Sequence, residues 1–105
     1  MAIMEISVIP IGTQNPSVSS FVAECVKVLD RQGLQYEITS MGTEVEGELE
    51  ELLRLAGEMH RIPFQKGAQR VVSTIRIDDR RDKKVSIAGK KNAVFKRLGK
   101  QRGGQ

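Results

Sequence analysis

The sequence is poor in the residues that carry metal, redox and stacking chemistry. Its 105 residues include one cysteine, one histidine and no tryptophan, and only 4% are aromatic. A single cysteine cannot form an internal disulfide, and nothing around it has the spacing of a zinc site. No apolar run approaches the roughly 18 residues that a membrane span needs. We therefore expect a cytoplasmic protein that is not bound to a membrane and holds no metal or cofactor.

Motifs for catalysis are also missing. The chain has ten glycines, but they form neither a dinucleotide-binding nor a phosphate-binding loop. His60 lies beside Arg61 with no second histidine near it, which is typical of a surface histidine. The N-terminal segment MAIMEISVIPIG alternates like a strand and lacks a basic region, so it does not resemble a signal peptide. With no visible nucleophile and base, we predict no catalytic residues and no enzyme activity.

The charge is divided unevenly along the chain. Residues 1–81 carry nine basic and twelve acidic residues, a net charge of −3, whereas residues 82–105 carry eight basic residues and one acid, a net charge of +7. Hydrophobic residues make up 39% of the chain and charged residues 29%, which is typical of a folded soluble domain. We predict a single domain over residues 1–98 and a frayed basic tail over residues 99–105.

Hydrophobic periodicity predicts four strands and three helices. Alternation marks strands at about 3–11, 34–39, 43–47 and 69–78, and helical spacing marks helices at about 16–31, from 48 to about 63, and 86–98. Asn15 and Pro16 suit a helix start, and Gly33 suits a left-handed helix end. Pro63 should kink or end the second helix, and Gly67 is a later stop signal.

The predicted order β-α-β-β-α-β is that of an α+β, ferredoxin-like sandwich with a short C-terminal helical extension. An antiparallel sheet would carry the first two helices on one face. The other face would hold Ser7, Glu37 and Thr74 together with the apolar Ile9 and Val72. Apolar residues on a face without helices favour an interface, so we predict a homo-oligomer, assembled through this face or through an edge strand.

The third predicted helix is amphipathic. We expect Val94, Phe95 and Leu98 to dock on a neighbouring surface while the lysines point to water. The same basic segment could attract nucleic acid or another polyanion, but Phe95 is its only aromatic residue, which gives base stacking little support. The turn at 78–84, with alternating charges, favours solvated salt bridges, and an anion site there is the alternative.

The segment GTEVEGE, residues 42–48, holds three carboxylates in five residues. One interpretation is a solvated strand followed by a helix start that favours negative charge. The other is an acidic mouth for a cationic ligand, in which Glu46 makes a charge-assisted bond and the Thr43 hydroxyl lies beside it. Strict alternation, however, puts Thr43 and Glu46 on opposite faces of the strand.

The segments GTEVEGE and RVVSTIRIDDRRDK, with the opening EISVIPIGT, resemble the thiamine-binding protein family over residues 3–98. The resemblance implies a ferredoxin-like fold, dimers that pair into tetramers, no enzyme activity, and binding of thiamine or its hydroxymethylpyrimidine part. The residues it suggests for ligand binding are Thr43, Glu46 and Gly47, with Ser7, Thr13 and Thr74 as weaker candidates. We chose Ser7 and Thr74 because strand geometry should bring them near Glu46.

Three hypotheses follow. The first is a thiamine-binding or pyrimidine-binding module that uses Glu46 and Thr43. The second is a protein that binds nucleic acid or another polyanion through its basic C-terminal segment. The third is a structural oligomer whose acidic and basic segments pair between subunits.

Overall fold

Four strands and three helices form an α+β fold, and the computed structural model describes residues 1–12 and 19–99. In chain order they are β1 (Ala2–Pro10), α1 (Ser19–Gln32), β2 (Tyr36–Thr39), β3 (Gly42–Gly47), α2 (Leu49–Gln65), β4 (Val71–Asp79) and α3 (Ile87–Leu98). The strands pair antiparallel in the order β2-β3-β1-β4. The predicted ferredoxin-like arrangement is confirmed. The helix start at Asn15 and Pro16 and most of the tail lie outside the described residues.

The main core lies between α1, α2 and one face of the sheet, which we call the inner face. Even-numbered residues of β1 point inward, and Met4 and Ile6 are almost completely buried. Burial of each such side chain contributes about 1.5–3 kcal/mol. Leu29 of α1 and Leu52, Leu55 and Met59 of α2 complete the layer. Within the described residues, no helix is long and apolar enough to cross a membrane.

Helix α1 ends as its glycine predicts. Gly33 has φ +68°, its N–H donates to Asp30 O, and the Leu34 N–H donates to Leu29 O. This pair of bonds satisfies the last carbonyls of the helix through a left-handed cap. Because Leu34 belongs to the cap, β2 begins at Tyr36 rather than at the predicted residue 34.

The predicted helix end at Pro63 is wrong, because α2 runs two residues further, to Gln65. A proline has no N–H to give to the carbonyl four residues earlier, which here belongs to Met59. The Cys25 thiol of α1 donates to that carbonyl at a Sγ···O distance of 3.6 Å. The neighbouring helix thus supplies the missing donor, and the buried proline ring packs into the core.

Helix α3 lies against the opposite, outer face, so helices do not cover one face alone. Ile3 of β1, Val85 and Ile87 form a small buried cluster at the end of the sheet where β1 begins. Of the three side chains expected to dock, Phe95 is partly buried, whereas Val94 and Leu98 are 55% and 60% exposed and do not dock within the chain. The helix is anchored through its first turn, and its later turns extend beyond the small cluster.

Candidate ligand-binding site

A cavity of about 310 Å³ opens beside the hairpin between β2 and β3, and we call it the hairpin cavity. The cavity forms because β1 extends beyond its pairing with β3. The β1–β3 ladder ends at the pair Ile6–Thr43, and the next four residues of β1 pair with β4 alone. Val22 and Cys25 of α1 and Met59 of α2 line the cavity as well. Its size lies at the lower end of the range of about 300–1,000 Å³ that is typical of small-molecule sites.

The hairpin that forms its rim is held by one side chain. Thr39 Oγ1 accepts from the backbone N–H groups of Met41 and Gly42 at 3.2 and 3.1 Å, and it donates to Gly42 O at 3.0 Å. A Cβ atom at Gly42 would lie 2.8 Å from Ile6 O. Glycine is therefore required where the turn passes β1, and the rim is fixed on two sides.

Thr43 presents a polar group inside this mainly apolar cavity. The residue is only 5% exposed, and its hydroxyl makes no hydrogen bond within the part of the chain that the structure describes. In the same residues, no fully buried side-chain oxygen or nitrogen lacks a partner. The hydroxyl must then reach accessible space, and the cavity that Thr43 lines provides it. A hydroxyl of a buried residue that faces a cavity and has no partner among the described residues is poised for a ligand or for water.

The backbone of β1 adds polar groups to the same space. Ile11 N donates to Arg70 O at 2.8 Å, which continues the β1–β4 ladder. Alternation along that ladder turns the N–H and C=O groups of even-numbered residues away from β4. Those of Val8 therefore point to the side where β3 has ended and the cavity begins. A backbone donor and a backbone acceptor therefore border the cavity that Thr43 lines.

The cavity wall formed by α1 and α2 contains the Cys25 thiol, which donates to the Met59 carbonyl in place of the N–H that Pro63 lacks. Burial raises the pKa of Cys25 from an ordinary value of 9.0 to about 11, and the negative charge of Glu24 acts in the same direction. At neutral pH the group is a thiol and can donate to Met59 O. This thiol is a structural group rather than a nucleophile.

The structure separates the six residues that the sequence suggested. Thr43 and Ser7 line the hairpin cavity. Gly47 does not: a Cβ atom there would lie 3.2 Å from Leu52 Cδ2, so its small size serves the packing of α2. Thr74, on β4, is exposed and pairs with Ser7 of β1. Thr13 lies outside the described residues.

Glu46 has a structural contact on the outer face. Its Oε1 accepts from the N–H of Ile87 at 2.6 Å, in the first turn of α3. It pairs with Ile3, four residues along β1 from Ser7, which is about 13 Å at the usual rise of a strand. The expectation that Ser7 and Thr74 lie near Glu46 is therefore wrong. The β1–β3 ladder has no bulge, so Thr43 and Glu46 do lie on opposite faces.

Comparison with known proteins agrees with this architecture. The family model described as thiamine-binding protein matches residues 4–95. The chain belongs to the thiamine-binding protein family. It is 47% identical over 102 residues to the UPF0045 protein YqgV of Bacillus subtilis, covering 93% of this chain and 98% of that relative.

Solved structures share the fold of this thiamine-binding family member. A hypothetical protein from Methanocaldococcus jannaschii superposes with a TM-score of 0.78 at 35% identity, covering 95% of this chain and 97% of that one. A proposed thiamine biosynthesis/salvage protein from Thermotoga maritima gives a TM-score of 0.72 at 24% identity, covering 89% and 97%. At that identity, the second likeness bears on the fold alone.

Two lysines of α3, which we expected to point to water, make ion pairs with acidic side chains of the sheet in this thiamine-binding family member. Lys91 of α3 bonds to Glu37 of β2, and Lys90 Nζ lies 2.7 Å from Asp78 Oδ2. Part of the basic segment is thus balanced by the outer face of its own sheet. These contacts, together with the Glu46 cap, leave less charge on α3 for a polyanion or for pairing between subunits.

His60 of this thiamine-binding family member is not on the cavity wall. Its Nδ1 lies 2.7 Å from Ser73 Oγ, and its ring makes an edge contact with Phe64 at a centroid distance of 5.6 Å. The contact between His60 and Ser73 links α2 to β4, and neither of these two residues lines the hairpin cavity. In residues 1–12 and 19–99, no three histidine, cysteine or acidic side chains are grouped to hold a metal.

The sequence analysis missed the cavity residues on the helices. Val22, Cys25 and Met59 lie on the apolar stripes of their helices, a pattern that predicts core positions rather than the wall of a cavity. One signal was present, since a proline four residues after Met59 leaves a carbonyl that needs a donor from elsewhere. That signal locates the contact between the two helices of this thiamine-binding family member, although it does not reveal the cavity.

Proposed function

We propose that the protein is a cytoplasmic, non-catalytic homo-oligomer that binds thiamine or its hydroxymethylpyrimidine part in the hairpin cavity. The observation that carries this proposal is the hydroxyl of the buried residue Thr43, which faces the cavity and has no hydrogen-bond partner among the described residues. Membership of the thiamine-binding protein family supports the ligand class. The cavity, close to 310 Å³, suits a small ring system rather than a large cofactor.

The lining of the cavity favours the aminopyrimidine part of thiamine. Among the described residues its walls carry no charged side chain, so the cationic thiazolium ring would gain no ion pair inside. An aminopyrimidine ring would contact Val22 and Met59, and its nitrogens could bond to the Thr43 hydroxyl and to the peptide groups of Val8. The thiazolium ring would then lie toward the opening, in water.

Calorimetric titration with thiamine and with hydroxymethylpyrimidine tests the proposal. Thr43→Val keeps the shape of the side chain and removes the hydroxyl, and we expect about tenfold weaker binding of either ligand, since an unpaired ligand group would be buried. Thr74→Val makes the same chemical change on the outer face and serves as the matched control. Equal affinity of Thr43→Val and the unchanged protein would refute the site.

Glu46→Gln separates this site from the acidic mouth that the sequence suggested. Because Glu46 lies on the outer face and caps α3, we expect the variant to bind thiamine as the unchanged protein does. A loss of binding in Glu46→Gln, with Thr43→Val unaffected, would move the site to the outer face.

The oligomer we propose forms through β4 and the adjoining outer face. Strand β4 is an edge strand, with β1 as its sheet neighbour. Ile9 and Val72 pair on the outer face, and each is 44% exposed. A long edge strand beside exposed apolar residues is prone to pair with another chain.

Light scattering on Val72→Lys tests this interface. We expect a lower mass at equal concentration, with an unchanged far-ultraviolet circular dichroism spectrum, because the charge would be buried in the interface. Leu53→Lys on α2, where the side chain is 51% exposed, is the control for adding a lysine to the surface. An unchanged mass in Val72→Lys would exclude this face.

A further inference from the structure

A second recess lies on the solvent side of the two core helices. This groove, of about 540 Å³, runs between α1 and the C-terminal half of α2, and we call it the helix groove. Val28 and Ile62, both buried, contribute to its lining. Three cationic side chains contribute as well, namely Arg31, Arg61 and Lys66.

The acidic side chains of the helix groove already have other partners. Glu24 Oε1 lies 3.0 Å from Lys27 Nζ, and Glu58 Oε1 lies 3.2 Å from Arg54 Nη1. Neither Lys27 nor Arg54 lines the groove. Each carboxylate of the groove thus makes its direct ion pair with a cation outside the groove, and neither is bonded to Arg31, Arg61 or Lys66.

The three groove cations lack such partners. Within residues 1–12 and 19–99, the side chains of Arg31, Arg61 and Lys66 make no ion pair and no hydrogen bond. All three line the same groove, and the Lys27 contact, followed by Lys66 and Arg31, lowers the pKa of the Glu24 carboxyl below its ordinary value.

The basic turn at 80–84 is a weaker candidate, because its charges alternate and pair locally. Arg80 Nε lies 2.5 Å from Asp82 Oδ1, and Arg81 Nη2 lies 3.1 Å from Asp79 Oδ2. Only Lys83 and Lys84 lack a partner among the described residues of this turn. Its cations are thus largely neutralised where those of the helix groove are not.

We propose that the helix groove binds the phosphate group of a small molecule, held by Arg31, Arg61 and Lys66. Two guanidinium groups offer paired N–H donors that match phosphate oxygens, and the lysine adds a third charge. The site lies on the solvent side of the helices and is separate from the hairpin cavity, so it does not depend on the function proposed for that cavity.

Nuclear magnetic resonance titration of the ¹⁵N-labelled protein tests the site. Inorganic phosphate and ribose 5-phosphate are each added at constant ionic strength set with chloride. We expect saturable shifts centred on the Arg31 and Arg61 side chains and on the backbone around Lys66. If both probes saturate the site, the phosphate group alone is sufficient for binding. If ribose 5-phosphate is the only probe that saturates it, the site requires a phosphate ester.

Arg61→Gln should weaken phosphate binding about tenfold, as the loss of a charge-assisted hydrogen bond would. Arg97→Gln on α3 removes one exposed charge elsewhere and should leave the affinity unchanged. Lys27→Gln should also weaken binding, because it frees the Glu24 carboxylate to repel the anion.

Thr43→Val should leave phosphate binding intact, which keeps this test distinct from that of the cavity. Unsaturable shifts, shifts centred on residues 80–84, or equal losses in Arg61→Gln and Arg97→Gln would overturn the proposal.

Discussion

Replacing Cys25 with alanine should destabilise the protein by more than the loss of one buried sulfur atom, because the thiol satisfies the Met59 carbonyl that Pro63 cannot. Losing buried apolar volume of that size costs about 0.8 kcal/mol. Leaving a buried carbonyl without a donor adds about 1–3 kcal/mol. We therefore expect Cys25→Ala to lower the free energy of unfolding by about 2–4 kcal/mol.

A double-mutant cycle isolates the hydrogen bond from the lost volume. In Pro63→Ala, residue 63 regains a backbone N–H and can donate to Met59 O as in an ordinary helix. In that background, Cys25→Ala should cost only about 1 kcal/mol, the part due to volume. The expected coupling between the two positions is then at least about 1 kcal/mol.

Urea unfolding followed by circular dichroism at 222 nm gives the four free energies, measured at one protein concentration because the assembly state could shift them. Val45→Ala, which removes buried apolar volume from β3 and no donor, is the control and should be additive with Pro63→Ala. If Cys25→Ala costs the same in both backgrounds within about 0.5 kcal/mol, the thiol does not compensate for the proline.

Three further predictions concern the site, the cap and the thiol. Thr43→Val, measured without ligand, should be as stable as the unchanged protein or up to about 1 kcal/mol more stable, because the hydroxyl it removes has no protein partner; a clear loss of stability in urea unfolding would indicate a structural bond. Glu46→Ala should cost about 1 kcal/mol and speed hydrogen exchange of the Ile87 amide, since it removes a helix N-terminal acceptor; unchanged exchange would contradict the cap. Since burial raises the pKa of Cys25 above its unfolded value, the folded state retains the thiol proton longer, and the stability it contributes is complete below pH 9 and declines up to about pH 11. Urea midpoints across that range should fall more steeply for the unchanged protein than for Cys25→Ala, and parallel slopes would refute the assignment.

Strand and helix assignments from the sequence succeed where one local pattern decides the structure. Alternation along residues 3–11 gives β1 and its inner face, and the left-handed Gly33 ends α1 as expected. For Pro63 the local rule is correct but incomplete, since the proline removes a helical donor and α2 still continues to Gln65. The donor that replaces the missing N–H comes from Cys25 in the other helix, 34 residues from the Met59 carbonyl that it reaches, and no local pattern reveals such a partner.

The acidic segment shows the same limit for the site. Carboxylates close together in sequence predict an anionic surface, but which cations face them depends on where distant elements pack. Residues 83–99 fold back over the outer face, so Glu46 accepts a hydrogen bond in the first turn of α3 and Glu37 bonds to Lys91. The charge asymmetry between the two parts of the chain is thus partly an intramolecular match.

The hairpin cavity follows from a difference in strand length that only the register reveals. Strand β3 has six residues and β1 has nine, and they are aligned at the end where Ala2 pairs with Gly47. All the excess length of β1 therefore falls at the other end, beside the hairpin. Had the register been aligned at the hairpin instead, the same strands would have closed this space and opened one next to α3. The Glu46 cap and the Ile3 cluster close the aligned end, so the fold leaves the Thr43 end free to hold a ligand.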